Sequence, residues 1–411
     1  MGGFRRLVTF ADQGVSSISN FVAVAVAANV ATAPEFGQFS LAYAGLLLFL
    51  GGQRALVGET LLVRYSKAGK LTPEVSAASL GATALVAVPT ILLLLAGAVL
   101  AGPENSLLWL VMAAAAPFVL LQDSIRYLFI CQGRPARALL IDGVWAVGSI
   151  STMLLAARSG AGLWVVLAWW GAGAAAALAA GLILARSVPA VPAGVRWLIL
   201  NKDCAFRYVA EFAGLNASTF AVLYFLVFPL GAAGVGALRA AQLLFSPLNT
   251  VFSAIKTAVI PELVRTRGTG AFRSRLLETF VLVLVLCLGW GAAVLLLPAS
   301  AGEFVLGETW HNTSDLRWPY AVQYLAMVPY TVLLAYFRAV QANRLSTLMR
   351  GVLAALTLAL PLALALNGSA AASAWGFAGA VAVAAVCGLL AVRVGRRSSA
   401  RPAEGALEPV D

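Results

Sequence analysis

The chain has 411 residues, 61% hydrophobic and only 11% charged, with a net charge of +11 and a mean hydropathy of +0.90. Soluble domains carry roughly 25% charged residues, so this composition excludes a water-soluble globular protein, a disordered chain and a disulfide scaffold. The 28 Lys and Arg are scattered between long apolar blocks instead of clustered on one face, which excludes a basic nucleic-acid binder.

A bilayer core about 30 Å thick takes about 20 residues of helix. Apolar runs of that size fall, in chain order, at 14–31, 39–63, 75–101, 107–131, 138–156, 162–185, 206–230, 235–263, 276–297, 319–338, 347–366 and 371–392. They predict an all-α integral membrane protein of twelve transmembrane helices. Pro89, Pro117, Pro247, Pro329 and Pro361 lie within these runs, which membrane helices tolerate where neighbouring groups satisfy the freed carbonyls. The first run opens on Asp12, Gln13, Ser16 and Ser17 and is too long for a cleavable signal core. Connections are short throughout, the longest outer one being 298–318, and 393–411 reads as a disordered basic cytoplasmic tail. Trp109, Trp164, Trp310 and Trp318 suit the aromatic belts at the membrane interfaces.

Lys and Arg accumulate on the cytoplasmic side of short loops. With the N-terminus inside, 23 of the 28 fall in cytoplasmic segments, including Arg126, Arg134 and Arg137 after the fourth run; only Arg158 and Arg317 fall outside. The positive charge is thus a topology signal, with both termini cytoplasmic and no nucleic acid implied. Cys131, Cys204, Cys287 and Cys387 lie far apart with no CxxC spacing, and His311 is the sole histidine. Buried thiols are expected, with no metal site and no cofactor.

Sliding the chain on itself by 199 residues pairs Asp12 with Glu211, Ser17 with Asn216, Ser19 with Ser218, Asn20 with Thr219, Phe21 with Phe220 and Gly37 with Gly236. Apolar residues match by chance in any two membrane helices, so the shared polar positions carry the signal. Two residues later in register, Leu62, Val63 and Arg64 meet Leu263, Val264 and Arg265. This predicts two parallel six-helix lobes, 1–190 and 206–392, joined by a cytoplasmic linker at 191–205, with a cavity at the repeat interface and a pseudo-two-fold axis.

Within the eighth run, Arg239, Gln242, Ser246, Asn249, Thr250, Ser253, Lys256 and Thr257 fall inside about 120° of arc at helical spacing. All other residues from Ala240 to Ile255 are apolar. A face of this kind is expected to line a water-filled cavity, since a helix seam would set an acid opposite each cation. Charges in hydrocarbon cost about 2.5 to 3.5 kcal/mol each, so Arg54, Arg239 and Lys256 together cost roughly 8 to 10 kcal/mol. Arg54, in the second run, maps at the repeat offset to Ser253, one turn from Lys256. The two cations would suit a doubly negative group such as pyrophosphate, Arg supplying a fork and Lys a point charge. A bridge from Arg54 to Glu59 has poor helical geometry. Glu59 is a coupling candidate, or pairs with Arg64 or Lys67; Asp12 and Glu211 cap or gate their helices. Asp123 and Arg126 form a local pair, Asp142 faces the cavity or answers Arg137, and Glu303, Glu308, His311 and Asp315 share a solvated outer loop.

Three segments, "DQGVSSISNFVAVAVAANVATAPEFGQFSLAYA", "RYLFICQGRPARALLIDGVW" and "GVGALRAAQLLFSPLNTVFSAIKTAVIPELVR", resemble the polysaccharide flippase branch (O-antigen and exopolysaccharide) of the multidrug/oligosaccharidyl-lipid/polysaccharide exporter superfamily. The resemblance implies a V-shaped pair of six-helix lobes in the bacterial inner membrane. It implies alternating access that moves a polyprenyl-diphosphate-linked oligosaccharide to the outer leaflet for surface polysaccharide export, among membrane lipids and alongside a polysaccharide polymerase and glycosyltransferases. By position Arg54, Arg239 and Lys256 match the cavity-lining cations of the family. The two extra helices of peptidoglycan-precursor flippases are lacking. Two other functions fit the same architecture: a cation-coupled small-molecule exporter of the superfamily, whose cavity is expected to be acidic, and a membrane glycosyltransferase or ligase, for which the 298–318 loop is thin. An enzyme is not expected, and no GxxxxGK[ST] occurs to supply ATP drive.

Overall fold

The computed structural model describes residues 2–66, 71–255 and 259–399. Its helices are α1 (Gly2–Val30), α2 (Ala33–Gln53), a π-helical segment (Arg54–Glu59), α3 (Thr60–Tyr65), α4 (Pro73–Leu100), α5 (Pro103–Cys131), α6 (Pro135–Arg158), α7 (Leu163–Ala185) and α8 (Val191–Phe245). They continue with α9 (Pro247–Ala254), α10 (Ile260–Thr266), α11 (Ala271–Leu295), α12 (Ala299–Leu306), α13 (Arg317–Ala339), α14 (Asn343–Ala365) and α15 (Ala370–Ser399). Among the described residues there is no strand. Ten helices among the described residues are long and apolar enough to cross a membrane, and the shorter Gly14–Val30 and Val191–Leu200 are also apolar.

Helix starts follow local chemistry. Pro opens α4, α5 and α6, where its missing N–H costs nothing. Thr32 caps α2 with a reciprocal partner in Glu35, whose carboxylate accepts from the Thr32 N–H at 2.9 Å. Two predicted spans differ from single straight helices. α8 runs from 191 to 230, about 60 Å at 1.5 Å per residue and twice a bilayer core, before Gly231 breaks it with φ +66°. That conformation is open to glycine at little cost. The predicted linker is therefore helical: Trp197 stacks on Tyr65 with ring centroids 6.2 Å apart, and Asn201 and Asp203 bind Arg64. The eighth run is interrupted twice, by a turn at Ser246 before Pro247 and by π-helical backbone at Ile255 and Val259.

The chain divides into two compact units. One comprises Met1–Leu244, Leu297–Leu316 and Asn367–Ala370; the other comprises Phe245–Leu296, Arg317–Leu366 and Ala371–Asp411. In the first, Leu61, Leu80, Ile125, Leu128 and Phe129 build a core between the π segment, α3, α4 and α5. The 298–318 connection joins this unit: Asn29 donates to the Phe304 carbonyl at 2.8 Å, and Thr309, Trp310 and Thr313 are buried. It is thus a packed element instead of a solvated loop, although His311 stays exposed, 3.7 Å from Glu303. In the second unit, Tyr330, Leu334, Phe337, Met349 and Val381 form the core, and Arg275 bridges Glu262 and Glu278.

Gly37 and Gly236, partners at the 199-residue offset, meet each other within the first unit. A Cβ on Gly37 would stand 1.8 Å from the Ala232 carbonyl oxygen, and one on Gly236 would stand 2.8 Å from the Gly37 nitrogen. Both backbones approach closer than any side chain permits. A self-complementary contact between equivalent residues is what two-fold symmetry generates. The aromatic belt holds only in part. Trp164 and Trp318 are exposed, whereas Trp109 is buried with its indole N–H on Gln38 Oε1 at 2.9 Å, and Trp310 is buried beneath Gly302. Cys131 and Cys287 are buried thiols, but Cys204 is half-buried and Cys387 exposed.

Candidate functional site

The second predicted span changes character at Arg54. The helix widens to π geometry from Arg54 to Glu59 and returns to α at Thr60, a device found disproportionately at functional sites. Gly58 inside it receives the ring of Tyr127, which a Cβ would meet at 2.8 Å. The residues on either side, Gln53 and Thr60, are fully buried, and their side-chain polar atoms have no hydrogen-bond partner among the described residues. At the later offset of 201 residues, Arg54 and Glu59 correspond to Ile255 and Ile260. The π-helical backbone at Ile255 and Val259 therefore occupies the matching place in the second half.

Arg54 lines a cleft in the first unit of about 430 Å³, the open space at its mouth included, together with Ser16, Asn20, Tyr43, Gln122, Asp123, Arg126, Asp142, Trp145 and Trp170. Its guanidinium grips Asp123 bidentately, Nε donating to Oδ2 at 3.0 Å and Nη2 to Oδ1 at 2.7 Å. The chain of charges continues: Arg126 stands 3.8 Å from Asp123, and its Nε lies 3.1 Å from Asp142 Oδ2. Gln122 donates to Asp142 Oδ1 at 2.8 Å. Two arginines and two aspartates thus alternate and cancel, which greatly reduces the cost of holding charge at this depth. Arg54 is the one that keeps access to the cavity, with its side chain 39% exposed against 11% for Arg126 and 5% for Asp123. Its Nη1 edge has no partner among the described residues.

The cavity also has an aromatic wall. The ring centroids of Trp145 and Trp170 lie 5.6 Å apart, Tyr43 meets Trp170 edge-on at 6.2 Å, and Phe39 stacks on Tyr43 at 5.5 Å. The Trp145 indole N–H donates to the Trp170 carbonyl at 3.3 Å, which fixes the ring. A second space of about 220 Å³, entirely apolar, lies behind Tyr43 and Trp170 among Ala23, Val24, Phe39, Met153 and Leu167. Neither the Asn20 amide nor the Tyr43 hydroxyl has a hydrogen-bond partner among the described residues.

Of the residues singled out from sequence, Arg54 is at the cavity, but its anchor is Asp123, 69 residues away, and not Glu59. Arg239 shares this unit and lies, like Arg54, within electrostatic reach of Tyr43. Arg239 Nη1 donates to Gln242 Oε1 at 2.7 Å. In the second unit, Asn249 Oδ1 accepts from the Tyr324 hydroxyl at 3.2 Å, and Ser253 is exposed. Ser246 is the one-residue turn between α8 and α9 and keeps helical φ −59° and ψ −29°. Lys256 lies outside the described residues, as does the side chain of Asp12. Glu59 is exposed and within electrostatic reach of Glu211; Arg64 is taken by Asp203. Arg126, expected in a cytoplasmic segment, is buried in the network. Asp142 answers Arg126 and not Arg137, whose Nη1 donates to the Leu184 carbonyl at 3.1 Å. The sequence reasoning missed Trp145, Trp170, Tyr43 and Gln122.

No family profile and no curated sequence matches the chain. Among solved structures it is similar to the lipid II flippase MurJ in an inward closed conformation, with a TM-score of 0.73 at 13% identity over 95% of this chain and 87% of that one. It is similar also to an inward-facing multidrug resistance MATE family transporter of the MOP superfamily, with a TM-score of 0.69 at 13% identity over 94% and 96% of the two chains. A MOP superfamily transporter from Pyrococcus furiosus, described as having a binding pocket of reverse polarity, gives 0.59 at 12% identity over 96% and 95%. At these identities the likeness establishes the fold, an all-α multi-pass membrane architecture shared with MOP superfamily transporters.

Proposed function

We propose that the chain is a flippase that carries a polyprenyl-diphosphate-linked oligosaccharide from the cytoplasmic to the outer leaflet by alternating access, for export of a surface polysaccharide. The observation that carries this reading is Arg54: a guanidinium oriented by Asp123 on one edge and open to a polar cavity on the other. Asp123 orients the guanidinium, so what is left for a ligand is an edge of N–H donors matched to phosphate oxygens. A cation-coupled exporter of organic cations is disfavoured by the same geometry, because Asp123 and Asp142 are both occupied by arginines. The chain sits in the bacterial inner membrane with both termini cytoplasmic. In a cysteine-free background, cysteines at Gly102 and Ser300 label from outside and one at Thr269 labels only after permeabilisation. Reconstitution into vesicles with a fluorescent undecaprenyl-diphosphate saccharide tests the activity: the protein accelerates exchange between leaflets and Arg54→Ala does not. Equal exchange with and without the arginine sinks the proposal.

A further inference from the structure

The aromatic wall begins one turn along α6 from Asp142 and has no role in recognising phosphate. The Trp145 ring is fixed by the bond from its indole N–H to the Trp170 carbonyl and by packing against the Trp170 ring. Trp145 is half-buried and lines the cavity, while Trp170 behind it is 5% exposed. Beside it stand two polar groups without partners among the described residues, the Asn20 amide and the Tyr43 hydroxyl, and both residues line the same space as Arg54. An amide can donate and accept, and a phenol can do the same. A flat apolar face bordered by such groups matches one common solute class. A pyranose ring presents a face of C–H bonds and a rim of hydroxyls, so its face packs on an aromatic ring while its edge takes hydrogen bonds.

We propose that Trp145, with Asn20 and Tyr43, forms a sugar-ring subsite that reads the first saccharide next to the diphosphate. The inference rests on the reading of Arg54 as the phosphate-binding cation, since both residues line one cavity and a sugar bonded to phosphate would span them. A rigid ring held before the ligand arrives costs little ordering on binding. The subsite then gives the protein a preference for glycosylated over bare carrier lipid, which a phosphate clamp alone cannot supply.

The test is binding of three probes to the purified full chain in nanodiscs: undecaprenyl diphosphate, and the same lipid bearing N-acetylglucosamine or galactose. The parent binds at least one glycosylated lipid about five- to tenfold more tightly than the bare diphosphate. Trp145→Ala brings that ratio to one without weakening the bare lipid. Trp145→Phe and Tyr43→Phe each keep a reduced ratio and cover the case in which Trp145→Ala does not fold. A parent that binds all three lipids equally overturns the subsite, and so does a ratio unchanged in Trp145→Ala or, if that protein is not recovered, in both phenylalanine variants. Failure of the phosphate reading shows differently: Arg54→Ala would then leave affinity for the bare diphosphate unchanged, whatever happens to the ratio.

Discussion

The helices around the second and eighth predicted spans share backbone features and hold their cations with different partners. Each presents a glycine to the other, Gly37 and Gly236, and each has π-helical backbone at the matching place, Arg54–Glu59 in one and Ile255 and Val259 in the other. In the second span the cation is fastened across helices to Asp123. In the eighth, Arg239 donates to Gln242 one turn along its own helix, and no Asp or Glu occurs from 235 to 255. The widened helix thus occurs at matching places while the side chains mounted on it differ. Arg54 is gripped bidentately from another helix, while Arg239 donates to a neutral amide on its own helix.

The largest effect expected from this contrast is at Arg54. Arg54→Ala abolishes transport and also leaves Asp123 short of its main partner, a loss of about 3 kcal/mol, measurable as a drop in thermal stability and yield. Arg54→Ala with Asp123→Asn recovers the stability and not the transport; recovery of both would make the arginine merely structural. Arg239→Ala should lower transport by less than tenfold and leave stability near that of the parent. Equal losses at the two arginines would break the comparison.

Next come the glycines, where the two spans should behave alike. Gly37→Ala and Gly236→Ala each force carbonyl or amide backbone to move and should cost about 1–3 kcal/mol, read as lowered melting temperatures. Gly52→Ala, about four turns further along the same helix as Gly37 with nothing within 4 Å of its Cβ position, should instead stabilise by about 0.5–1 kcal/mol. A tolerated Gly37→Ala would show that the contact between repeat partners is loose.

A smaller effect separates the π segments. Gln53 is buried with both amide atoms unpartnered, and its counterpart at the 201 offset is Ala254. Replacing Gln53 with Met removes an uncompensated polar group at similar volume and should stabilise by about 1 kcal/mol. Destabilisation instead would mean that the amide is hydrogen-bonded within the membrane. The smallest expected effect is at Glu59. Two negative charges moving outward across 100 mV release roughly 4–5 kcal/mol, enough to drive transport without a coupling ion. Glu59→Gln should accordingly follow an imposed potential in proteoliposomes as the parent does. Loss of a proton- or sodium-driven response in the mutant would assign Glu59 to coupling.

Most of the helices were legible as apolar runs of bilayer length, and Gly37 and Gly236 were legible as partners at one offset. The breaks within α8 and after it were written more faintly. Pro247 has no N–H to continue the helical ladder, yet five prolines lie within the predicted spans, so the residue alone did not distinguish a turn from a tolerated kink. The site was legible only as a cation. Arg54 announces itself by its cost in hydrocarbon, but the residue that orients it is 69 positions away on another helix, and no periodicity links them. Trp145 and Trp170 come from α6 and α7, and neither is unusual in its own segment. Their meaning appears when packing brings them to one cavity.

The claim on which the account turns is that the open edge of Arg54 holds phosphate, apart from its bond to Asp123. The direct measurement is the affinity of undecaprenyl diphosphate for Asp123→Asn and for Asp123→Asn with Arg54→Ala, two proteins that both lack the carboxylate. The account predicts affinity at least tenfold weaker without the arginine, with both proteins folded to similar melting temperatures. Equal affinity in the two would contradict it.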